Sequence, residues 1–89
     1  MRTEWDDAKR EANIAKHGID FILARVLFDG RSVVTHRSSY PDEERWLTTG
    51  MIEALFITVV WTERGDARRI ISARKARNAE KQQYRSTHG

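Results

Sequence analysis

Seven cations, Arg68, Arg69, Arg74, Lys75, Arg77, Lys81 and Arg85, fall within the eighteen residues RRIISARKARNAEKQQYR. The stretch starts like a β-strand and finishes like a helix. An arginine on a solvent-facing helix needs no special partner; one flanking a short buried strand does. Guanidinium is a planar fork of donors that matches phosphate or carboxylate oxygens. Arg74, at the end of the strand-like part, suits a phosphate or an ion pair with a carboxylate of a neighbouring strand. Lys75 beside it is a phosphate point charge or a solvated first-turn lysine. Arg68 and Arg69 point to opposite faces, so at most one of them joins a given site.

Further candidates lie upstream and at the end. Arg64 stands in TERGD, a loop at the mouth of the strands, where sites concentrate. Glu63 beside it is a general base or the group that holds Arg64. His17 has the side chain whose ordinary pKa lies nearest working pH, yet in AKHG it also suits a helix C-terminus, where a cation complements the dipole. His36 sits on a predicted strand, and His88 in a tail expected to fray. Tyr84 either stacks on a base or packs on a sheet. The histidines are scattered and no carboxylates have ligand spacing, so no metal and no cofactor is expected.

The elements that would position these groups follow from pattern. EWDDAKREANIAKHG reads as a helix, with Asp6 or Asp7 at its start and Gly18 ending it in the left-handed conformation. Asp20 opens a second helix, DFILARVLF, whose Leu23, Leu27 and Phe28 recur at near-helical spacing, and Gly30 closes it. RSVVTHR is β-branched and reads as a strand, SSYPDE as a loop, RWLTTG as a second strand and MIEA as a turn. LFITVVWT is the strongest strand, with Leu55, Ile57, Val59 and Trp61 on one face and Phe56 and Val60 on the other. ERGDA is a hairpin loop, RRIISAR a fourth strand and KARNAEKQQYR a helix. The order predicts an α+β fold: two N-terminal helices, a four-stranded antiparallel meander and a C-terminal helix. Trp5, Trp46 and Trp61 are expected in its core.

Composition bounds the rest. Eighty-nine residues imply one domain, 1–89, with a thin core. The absence of cysteine excludes disulfides and thiolate zinc sites and suits a reducing cytoplasm. The first residues lack an apolar signal region, and ALFITVVW is too short to span a bilayer. Residues 62–89 hold eight basic and three acidic side chains, against eight and ten in residues 1–61. A basic third on a mildly acidic body favours a polyanionic partner, although a solvated helix face would have the same composition.

Three segments, WDDAKREANIAKHGI, ERW and WTERGDARRIISARKARNAEKQQY, resemble the BrnT family of bacterial toxins, in the right order and spacing from Trp5 to Tyr84. The MIEALF turn and the tail after Tyr84 depart from the family pattern and carry none of its motifs. The resemblance implies a RelE-like fold and a metal-independent ribonuclease that inhibits translation. It implies a BrnA-type antitoxin as partner, in a heterotetramer of two toxin and two antitoxin chains, with DNA touched only through the antitoxin. The motif ISARKA then makes Arg74 the first catalytic candidate, with Arg64, His17, Glu63 and Tyr84 beside it. Lys75, Arg77, Arg69 and Lys81 become RNA-binding candidates. The alternative is a basic module that binds a protein or nucleic acid without cleaving anything.

Overall fold

A computed structural model describes all 89 residues, Met1–Gly89. Strand β1 (Arg2–Glu4) precedes helix α1 (Asp7–His17) and a short helix α2 (Phe21–Ala24), which tightens into a 3₁₀ turn (Arg25–Phe28). Strands β2 (Val33–Arg37), β3 (Trp46–Ile52), β4 (Leu55–Arg64) and β5 (Ala67–Lys75) follow, then helix α3 (Asn78–His88). No helix is long and apolar enough to cross a membrane.

The sheet has five strands in the order β1-β5-β4-β3-β2. Strands β2 to β5 form the expected antiparallel meander. The expected four-stranded sheet gains β1, which pairs with β5 in parallel, Arg2 opposite Ala67 and Glu4 opposite Arg69. Three polar residues carry no strand periodicity. Backbone pairing places them, helped by an ion pair of 2.8 Å between Glu4 and Arg69.

Other boundaries shift for local reasons. Met51 and Ile52, expected in a turn, extend β3, and the reversal falls on Glu53, whose φ of 57° is left-handed. Glu63 and Arg64, expected in a loop, complete β4, leaving a two-residue turn at Gly65 and Asp66. Lys75 belongs to β5 and Arg77 precedes α3, so the last helix starts later than expected. That helix also runs past Tyr84 to His88, whose Nε2 lies 2.8 Å from the Val33 carbonyl; the tail is anchored and not frayed. The second helix is α-helical for only four residues. Its buried residues are Phe21, Ala24 and Leu27, while Leu23 is 41% exposed. A three-residue repeat of buried positions matches the tighter 3₁₀ winding, in which i and i+3 eclipse.

The core lies on one face of the sheet. Ile57, Val59, Trp61, Ile70 and Ala73 pack there against Phe21, Ala24 and Leu27. Trp5 and Trp46 are only partly buried at its border. A bulge sets which β5 residues join them. Val60 pairs with Ser72 but Trp61 with Ile70, so Ile71 is an extra residue. Strict alternation would put Ile70 and Ala73 on opposite faces; the bulge brings both to the core. It also sends Arg68 to the core face and Arg69 to the other, where Arg74 lies.

The second face is covered at one end only. Helix α3 crosses it from β5 to β2, with Glu80 bonded to Thr58 and the Tyr84 ring 5.4 Å from Phe56, edge to face. Beyond α3, Leu47, Val60 and Ser72 remain partly exposed.

Candidate nucleic-acid interface

Arg74 and Glu80 join the last strand to the last helix. The Arg74 fork donates to both Glu80 oxygens, Nη1 at 2.7 Å and Nη2 at 2.9 Å, and weakly to the Lys75 carbonyl. Glu80 also accepts from the Arg77 amide (2.7 Å), which caps the start of α3, and from the Thr58 hydroxyl (3.0 Å). Burial alone would raise the Glu80 pKa. Arg74, the Arg77 amide and Thr58 outweigh it and hold the carboxyl down at about 2. At neutral pH, therefore, Glu80 is an anion and a poor proton acceptor. The ion-pair reading of Arg74 holds in this structure, with the carboxylate supplied by a helix and not by a neighbouring strand.

Arg69 is likewise closed by a carboxylate, Glu4, on the same face. Free cations lie along α3. Arg77, Lys81 and Arg85 recur at four-residue spacing, about 6 Å apart along the axis at 1.5 Å per residue. None of them has a carboxylate within ion-pair distance. The Lys81 ammonium and the Arg85 guanidinium approach the Phe56 ring, at 6.0 and 5.1 Å. Tyr84 completes this cluster and touches His88, with ring centroids 5.0 Å apart. Arg85, one of the seven cations of the stretch, was not among the RNA-binding candidates, although its spacing from Arg77 and Lys81 was visible in the sequence.

His17 belongs to a second basic region. It ends α1, where Gly18 turns left-handed at φ 70°. A shallow groove of about 270 Å³ lies between α1 and the bulge of β5, lined by Lys9, Lys16, His17, Asn13 and Ser72 among others. No carboxylate lines it. Lys9 and Lys16, two turns apart on α1, were not singled out from sequence. Ser72 is two residues from Arg74, or about 7 Å along the strand. The groove therefore adjoins the Arg74 end of the sheet.

Asn13 fixes α1 in this position. Its amide donates to the Ala73 and Ile19 carbonyls, both at 2.8 Å, and its carbonyl accepts from the Ala73 amide at 3.1 Å. β1 covers only residues 67–69 of the β5 edge. Asn13 replaces a neighbouring strand at Ala73.

The remaining candidates lie elsewhere. Arg64 pairs with Ala67 and Arg74 with Thr58, six residues apart on β4. At about 3.3 Å per residue this separates them by about 20 Å. Glu63 and Arg64 are exposed at the far hairpin and share no site with Arg74. They also make no ion pair with each other, and the expected clasp between them is not formed. Lys75 is exposed at the end of β5, next to Arg74. His36, exposed on β2, stands across the sheet from these groups. No three His, Asp or Glu side chains cluster as a metal site would require.

The chain thus presents basic side chains on α3, at the end of β5 and along the groove beside α1. No curated protein matches it. A family model described as the ribonuclease toxin, BrnT, of type II toxin–antitoxin system matches residues 5–80. That span includes α1, the whole meander and the first turn of α3 with Arg74, Arg77 and Glu80, and the chain belongs to this family of ribonuclease toxins.

Proposed function

We propose that the protein is a metal-independent endoribonuclease that inhibits translation and is neutralised by a BrnA-type antitoxin. We place its RNA along Arg77, Lys81 and Arg85 of α3 and across the end of β5. The observation that carries the assignment is the carboxylate-free row of three cations, beginning beside the clamped Arg74.

Cleavage would proceed by attack of a 2′-oxygen on the adjacent phosphorus. The P–O5′ bond breaks, leaving a 2′,3′-cyclic phosphate and a free 5′-hydroxyl. Lys75 and Arg74 neutralise the phosphate oxygens, Arg74 through the N–H groups that its pair with Glu80 leaves free. Glu80 orients Arg74 and does not take the proton, because its carboxyl is held at about 2. His17 is the proton carrier in this scheme, since the groove it lines reaches Ser72, beside Arg74. Tyr84 offers a ring edge for a base or a hydroxyl for the phosphate. Glu63 and Arg64, at the other end of the sheet, take no part in the chemical step. We place the antitoxin in a heterotetramer of two toxin and two antitoxin chains.

The test is incubation of the purified chain with end-labelled RNA in EDTA, at substoichiometric protein, beside an Arg77→Gln/Lys81→Gln/Arg85→Gln variant. Fragments ending in cyclic phosphate from the wild type, much reduced in the variant, support the reading. Intact RNA both free and on translating ribosomes would reject it.

A further inference from the structure

Six arginines are partly buried: Arg10, Arg31, Arg45, Arg68, Arg69 and Arg74. Five are closed by a carboxylate, respectively Asp20, Asp29, Glu43, Glu4 and Glu80, with Arg68 the exception. The bulge of β5 turns Arg68 to the core face, where its guanidinium lies 3.8 Å from the centroid of Phe28 and 4.7 Å from that of Trp61. Its Nε is buried and has no hydrogen-bond partner. Glu63 stands opposite in the β4–β5 register but makes no ion pair with it. Burial lowers the Arg68 pKa against the pull of Glu63. A half-desolvated cation without a counter-ion costs stability, which a closing carboxylate would recover.

A second orphan borders the same ring. Trp46 Nε1 is buried and unpaired, and the Trp46 ring lies 6.2 Å from Trp61. Trp61 itself is satisfied, donating to the Thr48 hydroxyl at 2.8 Å. Arg68 Nε and Trp46 Nε1 are the only buried side-chain polar atoms of the chain without a partner. Native structures rarely leave such donors unmet. The guanidinium of Arg68, held on aromatic rings without a counter-ion, is the group of this cluster that an arriving carboxylate would close.

We propose that the cluster of Arg68, Phe28, Trp61 and Trp46 is a docking site for the antitoxin, which seats one Asp or Glu carboxylate on the Arg68 fork. The proposal rests on the reading of the chain as a type II toxin. Three observations favour a protein segment over RNA. Arg68 lies on the face opposite Arg69, Arg74 and α3. The surroundings are aromatic, and Ile22 and Leu23 of α2, just before the turn that carries Phe28, are 43% and 41% exposed. Arg and Trp packed in this way are the residues that dominate protein interfaces. Glu63 nearby opposes any arriving anion, and it opposes a chain of phosphates more than a single carboxylate held by the fork.

Arg68→Met keeps the apolar stem against Phe28 and Trp61 and removes the fork. Affinity for the antitoxin encoded with the toxin is measured by calorimetry, and RNA cleavage by the free variant in parallel. The expected loss is about 30-fold or more in affinity, with cleavage unchanged. Arg68→Lys does not restore it, because a point charge cannot bind both oxygens. Glu63→Gln, which leaves the cluster intact should the Arg68 variants misfold, tightens the complex by removing a competing charge. Wild-type affinity in Arg68→Met overturns the proposal, as does an unaltered complex in Glu63→Gln. Lost cleavage with antitoxin affinity intact assigns Arg68 to RNA instead. A wild type that binds no antitoxin removes the toxin reading itself, an outcome distinct from binding that ignores Arg68.

Discussion

Arg74 and Glu80 meet through two hydrogen bonds of 2.7 and 2.9 Å, with side chains only 14% and 11% exposed. This contact clamps the end of β5 to the first turn of α3, and the same carboxylate caps the helix through the Arg77 amide. Arg74→Ala would therefore do two things at once. It removes a candidate phosphate ligand and strands a mostly buried anion, a change that costs about 2–4 kcal/mol. Arg74→Lys separates the effects. It leaves a cation for Glu80, so urea denaturation should show less than about 2 kcal/mol of loss. Cleavage should still fall about a hundredfold, as when a fixed oxyanion donor is removed. Equal activity in Arg74→Lys and wild type would reduce Arg74 to a structural clamp.

Glu80 also predicts a pH dependence. Its folded pKa, about 2, lies below the ordinary value of 4.5. A depressed carboxylate stabilises the fold above the ordinary value and loses that contribution as pH falls towards the folded one. The contribution is of order 3 kcal/mol. Asp20 and Asp29, paired with Arg10 and Arg31, are also held at about 2 and titrate in the same window. Glu80→Gln isolates the contribution of Glu80. In urea unfolding the gap between wild type and variant should be wide at pH 7 and nearly closed at pH 2. A gap independent of pH would mean that Glu80 acts by shape and capping alone.

The meander was readable in advance because its strands are joined by hairpins and filled with β-branched residues, so that LFITVVWT and RRIISAR, joined by a short turn, fall side by side. The parallel β1 was not. Its three polar residues gain their strand from β5, more than sixty residues away, and from the Glu4–Arg69 pair. The partners of the arginines were hidden for a related reason. A one-residue bulge at Ile71 reassigns the faces of β5, and no residue type announces it. The basic row on α3 needed only helical spacing to be seen; two of its three members, Arg77 and Lys81, entered as RNA-binding candidates through the family resemblance instead. Arg68 could be recognised as a candidate cation, but its solitude became visible only once the other five arginines had found their carboxylates.

Asn13 carries a third prediction. One side-chain amide satisfies both backbone groups of Ala73 and the Ile19 carbonyl, and Asn13 is buried. Asn13→Ala leaves those groups unmet and should cost about 2–3 kcal/mol. The diagnostic measurement is local: the Ala73 amide should exchange with solvent much faster than its neighbours on β5 in the variant. Asn13→Asp keeps the acceptor for the Ala73 amide but faces two carbonyls with an anion. It should be more destabilising at pH 7 than at pH 4. Retained protection at Ala73 in Asn13→Ala would show that the β5 edge is held by other means.

The basic surfaces can be tested separately from cleavage. Binding of 2′-O-methyl RNA, which lacks the attacking hydroxyl, should weaken steeply with salt, because each neutralised phosphate of a single strand adds about 0.7 to the slope of log affinity against log salt. Replacing Arg77, Lys81 and Arg85 with Gln should lower that slope by about 2. Lys9→Gln/Lys16→Gln asks whether the strand also enters the groove beside α1. A further loss of about 1.4 in slope would carry the RNA past Ser72 to His17, where a proton carrier is needed. An unchanged slope in this second variant would confine the RNA to α3 and remove His17 from the chemical step, leaving Tyr84 and His88 of α3 as the candidates to carry the proton.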